Sequence, residues 1–166
     1  EDHFGAIPYF AKEINCPIWG TEFTLALLRR KLKDNNVNFK LKLNPIPKSN
    51  NIEVADFKIQ SVMASHSIPQ AISYLIKTKK ENIFHTGDWK FEPSKNLNEK
   101  SNVTLLNKIS KLKISCIVSD STNALIEGRT YSEEFAFNGL LEVIKSKKGC
   151  VLVTCFSSNV SRIKSL

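Results

Sequence analysis

Ile7, Phe10, Ala11 and Ile14 recur at helical spacing, which predicts a helix over Ala6–Glu13 with Pro8 tolerated in its first turn. Cys16–Trp19 reads as a short strand closed by Gly20. Thr21-Glu-Phe-Thr24 then opens a second helix, with Phe23, Leu27, Leu28 and Leu32 on one apolar face. Arg29, Arg30, Lys31 and Lys33 crowd its C-terminal end, where cations suit the helix dipole. Phe39, Leu41 and Leu43 alternate with lysines as a half-buried strand does, and Asn44–Asn51 reads as a loop.

Phe57, Ile59 and Met63 mark the next strand, which ends at Ser65-His66. A turn at Ser67-Ile-Pro69 leads to a strand over Ala71–Ile76 and a lysine-rich hairpin turn. Ile83-Phe84 then runs into His85-Thr-Gly-Asp88, a polar turn whose glycine lets the backbone bend tightly. His66 and Asp88 thus both follow strands, with one strand between them. In a sheet that arrangement brings both to one edge. Phe91–Lys100 reads as an irregular loop, and Val103, Leu106, Ile109 and Leu112 are helix-spaced. Ile114–Val118 is a buried-type strand ending in Ser119-Asp-Ser-Thr-Asn123, a third polar strand end. A helix through Phe135, Leu140, Leu141 and Ile144 stops at Lys148-Gly149, Cys150–Cys155 reads as a strand, and Phe156–Asn159 turns into a last helical fragment. Strands in the middle flanked by helices predict a layered α/β sandwich.

Composition narrows the picture only a little. The 166 residues are 42% hydrophobic and 24% charged, enough for one sizeable domain or one domain and the start of another. No apolar run is long enough to span a bilayer, and no signal-peptide pattern opens the chain. The first residue is Glu1, and the chain reads as a piece of something longer. A net charge of +8 suits a polyanion such as RNA, but the lysines lie in short scattered groups that read as solvated surface. Cys16, Cys116, Cys150 and Cys155 lack CxxC spacing and are expected to be buried free thiols in a reducing cytoplasm.

The candidate chemistry lies at the polar strand ends. A carboxylate has two oxygens, so Asp88 at the mouth of a sheet could bridge two cations. It could equally cap the amides of an ordinary turn. His66 could be a hydrogen-bonded loop histidine, His85 could bond within its own turn, and Asp120 could cap through Ser121 or Thr122. Against these local roles stands the donor chemistry, since imidazole and carboxylate together are the ligands of hydrolytic zinc or manganese sites.

Several runs then line up in order across nearly the whole chain. They are Glu1-Asp-His3 with Gly5-x-Ile-Pro-Tyr9, Pro17-Ile-Trp-Gly-Thr21, His66-Ser-Ile-Pro69, His85-Thr-Gly-Asp-Trp-Lys-Phe91, Ser119-Asp-Ser-Thr-Asn-Ala124 and Phe156-Ser-Ser-Asn159. Together they resemble the ribonuclease J family, β-CASP members of the metallo-β-lactamase superfamily. Glu1-Asp-His3 is similar to the second half of its His-x-His-x-Asp-His signature. The resemblance implies a partial metallo-β-lactamase αββα sandwich over 1–124, running into the start of a β-CASP domain over 125–166. It implies two divalent ions, zinc or alternatively manganese. Asp2 and His3 would bind one ion, His66 the other, and Asp88 would bridge them. Asp2, His66 and Asp88 would be catalytic, with His85 and Asp120 supporting the site and Ser157, Ser158 and Asn159 binding substrate. The reaction implied is hydrolysis of RNA phosphodiesters by metal-activated water, in cytoplasmic RNA processing and decay by a homo-oligomer, with no membrane partner.

The departures are as specific. The two histidines of the signature that precede Asp2 are absent, Ser161 stands where the family has a histidine, and Ser65 and Gln70 replace an Asn and an Asp. Each ion keeps so few ligands that this segment alone is expected to be catalytically feeble or dead. The rival expectations are a superfamily hydrolase of small esters, thioesters or lactams, and a non-catalytic truncated relic.

Overall fold

The computed structural model describes residues 2–13, 16–37, 40–47, 49–90, 104, 106–128 and 130–166. Of the positions singled out above, Glu1, Ile14, Phe39, Val103 and the loop Phe91–Lys100 lie outside the described residues. Helix α1 (Ile7–Glu13) precedes strand β1 (Ile18–Gly20), helix α2 (Glu22–Asp34) and strand β2 (Leu43–Pro45). β1 and β2 pair in parallel, Ile18 opposite Leu43, so β1, α2 and β2 form one strand–helix–strand unit.

Thr21 starts α2 by accepting the Thr24 backbone N–H on its hydroxyl, and Glu22 in the first turn with Lys31 and Lys33 in the last complement the helix dipole. Leu25 and Leu28 are the fully buried side chains of α2. The apolar stripe is therefore rotated toward Leu25, which the expected face of Phe23, Leu27, Leu28 and Leu32 omitted. Its methyl packs against Gly20, where an added Cβ would meet Leu25 Cδ2 at 3.3 Å.

The main sheet has five strands in the order β3 (Asn51–Val54), β4 (Phe57–Met63), β5 (Ile72–Lys77), β6 (Asn82–His85) and β7 (Cys116–Val118). β3 to β6 are antiparallel neighbours, and β7 lies parallel to β6. β4, β6 and β7 therefore run the same way, and their C-terminal ends share one edge. Between β6 and β7 the chain passes through helical residues 106–109 (α3), which lie on the sheet. Val62, Leu75 and Ile109 are buried together there, with Phe84, Leu106 and Ile114 packed against them. Register explains the set, because Val62 faces Ser73 and Leu75 faces Phe84 on one side of the pleat. The α/β class expected from the sequence is the class observed.

Four local expectations are corrected. The strand expected at 39–43 is β2 at Leu43–Pro45, displaced because its partner Ile18–Gly20 sets where pairing begins. The loop expected through Asn51 ends early in β3, whose hairpin turns at Ala55-Asp56 with Ala55 at φ 50°. That turn lacks the Asn-Gly or Asp-Gly signal that announces such hairpins. Residues 150–155 form no strand, since nothing among the described residues pairs with them. β7 is an edge strand with all three residues exposed, and the four cysteines are free but exposed rather than buried. Apolar composition alone marked these segments as interior. Burial also needs an element packed over them, and among the described residues these segments stay exposed.

After β7 come helix α4 (Glu133–Ser146), capped by the Ser132 hydroxyl, and helix α5 (Val160–Ser165), capped by the Asn159 side chain. Leu75 is 0% exposed at the centre of the sheet core. Leu75→Ala is expected to lower the unfolding free energy by about 2–5 kcal/mol in urea denaturation; a loss below about 1 kcal/mol would contradict this core assignment.

Candidate metal centre

The shared sheet edge carries the polar turns. β4 ends ahead of His66, β6 ends ahead of Asp88, and β7 ends ahead of Asp120. The Lys90 N–H donates to the Ser65 carbonyl at 2.7 Å, which laces the turn after β6 to the turn after β4. The Ala64 N–H donates to the Ala71 carbonyl at 2.8 Å and closes the His66 loop at its base. Gln70, at φ 58°, then accepts the Phe23 N–H on its side-chain oxygen at 2.9 Å, tying the same loop to the start of α2.

Gly87 is the residue that lets the Asp88 turn form. Its φ is +60°, and an added Cβ would sit 3.1 Å from the Ile72 carbonyl, so any side chain would be both strained and crowded. The turn delivers Asp88 between two histidines. His3 Nε2 lies 3.0 Å from Asp88 Oδ1, and His66 Nε2 lies 3.7 Å from Asp88 Oδ2. Each carboxylate oxygen thus has its own imidazole, and all three side chains are partly open to solvent. Ligands sharing one ion at about 2.0–2.2 Å each lie roughly 3.0–3.5 Å apart. The His3 pair meets that separation, and the His66 pair, at 3.7 Å, is wider than it. Asp2 is exposed beside His3, in the turn ahead of α1, and belongs to neither pair. Among the described residues, no group of three or more His, Cys, Asp or Glu side chains gathers around one point. The arrangement is two two-donor halves joined by a carboxylate.

His85 has its Nδ1 committed within the turn, accepting the Gly87 N–H at 3.1 Å. Asp120 closes the edge from the β7 side. Its Oδ1 accepts the Thr122 N–H at 2.9 Å and the Thr122 hydroxyl at 2.7 Å. These two bonds, with the Trp89 backbone amide and the nearby His66 adding to them against some desolvation, hold the Asp120 carboxyl below its usual 3.8. Asp120 therefore stands at this edge with one carboxylate oxygen committed to Thr122.

Ser157 and Ser158 are exposed in the turn before α5, and Asn159 Oδ1 accepts the Arg162 N–H at 3.0 Å as the helix cap. No contact links these three to the Asp88 cluster. A set that sequence reasoning passed over does reach toward it. Lys90 Nζ donates to the Tyr131 carbonyl at 2.7 Å and stands 4.0 Å from Glu133, which Arg162 holds at 3.2 Å. Lysine, glutamate and arginine so far apart in sequence carried no spacing signal. Thr86 was visible within its motif, but nothing there marked it as buried.

A family model described as a β-lactamase superfamily domain matches residues 1–109. Over the whole chain the sequence is 32% identical to a ribonuclease J of Sinorhizobium meliloti and 31% identical to ribonuclease J2 of Bacillus subtilis. The chain spans 29% and 30% of those relatives' lengths, so it matches less than a third of each. A crystal structure of a protein of unknown function from Enterococcus faecalis V583 superimposes with a TM-score of 0.59 over 78% of this chain and 33% of that one. Its sequence is 17% identical, so the likeness concerns the fold alone.

The Asp120 carboxylate is expected to release its proton below pH 3.8, because its partners favour the charged form. Its contribution to holding the Thr122 amide is present above the unfolded value and lost as pH falls through the lowered folded one. Amide NMR shifts of Thr122 should follow that titration and lose it in Asp120→Asn. A midpoint at or above 3.8 would contradict it.

Proposed function

The chain belongs to the β-lactamase superfamily, and from that premise we propose that it is the metal-site segment of a ribonuclease J-type hydrolase. The carrying observation is Asp88, which presents one oxygen to His3 and the other to His66. Two divalent ions bound there would supply activated water and charge stabilisation at the scissile phosphate. Zinc suits imidazole and carboxylate donors, and manganese is the alternative. His3, with neighbouring Asp2, would hold one ion and His66 the other, with Asp88 shared. This chain's own residues do the positioning. The Gly87 turn aims Asp88, and the Ser65–Lys90 bond fixes the distance between loops.

In this reading residues 1–124 form the metallo-β-lactamase part and residues 125–166 begin the β-CASP part. The substrate is RNA, cut during processing and decay in the cytoplasm by a homo-oligomeric full-length protein. Ser157 and Ser158 offer free hydroxyls for phosphate, whereas Asn159 has its oxygen committed to capping α5 and offers only its amide NH₂. Each ion receives only two or three donors from this segment, so activity requires donors from elsewhere.

The test uses the full-length protein that contains this segment, offered 5′-monophosphorylated RNA and, separately, a β-lactam. RNA cleavage that requires divalent ions is expected. His66→Ala and Asp88→Ala should each lower kcat/KM by about 100-fold or more. Turnover of the β-lactam with intact RNA would overturn the ribonuclease reading in favour of a small-molecule hydrolase. Inertness toward both would favour a relic.

A further inference from the structure

Thr86 is only 3% exposed, yet all its polar groups are engaged. Its N–H donates to the Val118 carbonyl at 2.9 Å, and its carbonyl accepts the Ser73 hydroxyl at 2.7 Å. Its own hydroxyl donates to the Gly87 carbonyl at 2.7 Å and accepts the Asp120 N–H at 3.1 Å. A hydroxyl has one proton, so donating it to Gly87 leaves the lone pairs for Asp120, and the polarity of the relay is fixed. The two groups it joins are informative. The Gly87 carbonyl belongs to the peptide that carries Asp88, and the Asp120 amide belongs to the residue standing beside His66. One buried hydroxyl therefore holds the peptides of both acidic residues at this edge. An apolar isostere would leave a carbonyl on one side and an amide on the other without a partner.

We infer that Thr86 is a positioning residue of the metal centre, whose hydroxyl sets Asp88 against His3 and His66 and sets Asp120 behind them. The inference rests on Asp88 being the shared ligand, but it concerns the backbone that aims that ligand. Backbone pairing brings β6 to its end, and the Thr86 hydroxyl is the side-chain bond that joins the departing Gly87 carbonyl to the Asp120 amide.

The test compares Thr86→Val, which keeps the shape and loses the hydroxyl, with Thr86→Ser, which keeps the hydroxyl. Zn²⁺ alone is titrated calorimetrically, and the His3 and His66 imidazole signals are followed by NMR in the metal-free protein. Thr86→Val should weaken Zn²⁺ binding about tenfold to a hundredfold and shift both imidazole signals, while Thr86→Ser should stay within about twofold of wild type. Ser73→Ala, which removes only the bond to the Thr86 carbonyl, should lower stability without moving the imidazole signals. Wild-type affinity and wild-type imidazole signals in Thr86→Val would overturn the inference. If Thr86→Val does not fold, hydrogen exchange of the wild-type Asp120 amide decides. Protection supports the relay, and exchange as fast as in an open loop refutes it. If wild type binds no Zn²⁺, the metal reading fails, and the imidazole signals of the metal-free variants still decide the role of Thr86.

Discussion

The register of β5 between β4 and β6 is the constraint from which the rest of the edge follows. Val62 opposite Ser73 and Tyr74 opposite His85 fix how far each neighbouring strand runs before its chain turns away. A slip of one residue would carry Val62 and Leu75 out of the core under α3 and bring Ser61 and Tyr74 in. The hydrophobic core thereby dictates where His66 and Asp88 emerge. Apolar burial positions two hydrophilic side chains that contribute nothing to it.

Register alone leaves the turns beyond the strands undetermined. Those turns are closed by polar bonds in a region where unpaired groups are costly. Ser65 to Lys90 joins the first two loops, and Thr86 joins the second to the third. The bonds flank the Asp88 turn, and only glycine at position 87 lets that turn reach Asp88 without collision at the Ile72 carbonyl. Order at this edge comes from several modest bonds acting on short segments.

Much of this was legible in the sequence, because strand alternation and polar strand ends are local patterns. The juxtaposition of His66 and Asp88 followed from counting strands, and their separation by β5 made a common edge the expected outcome. The pairing with His3 came from the family resemblance, since no spacing rule relates the start of the chain to a turn more than eighty residues on. What escaped reading depended on distant partners. β3 carries a hairpin whose turn residues are unremarkable, and β2 began where β1 allowed it. Leu25 packs against Gly20, a neighbour outside its own helix. The segments around Cys116 and Cys150–Cys155 have interior composition, but burial is a property of neighbours, and composition reports only one side of a contact.

The helices after β7 are attached to this edge by charge. Glu133 sits at the start of α4, bridged by Arg162 from α5 and approached by Lys90, two residues beyond Asp88. Single partly exposed ion pairs contribute little stability, typically below about 1 kcal/mol. Their value here is geometric. Lys90 also donates to the Tyr131 carbonyl, and the Tyr131 ring stacks on Phe135 at 4.4 Å, so the lysine is held to the first turn of α4 by two kinds of contact. Its own backbone N–H is meanwhile fixed to Ser65, in the loop that bears His66. One residue thus has its main chain at the Asp88 edge and its side chain in the helical segment. Lys90 thus links the first turn of α4 to the turn that carries Asp88.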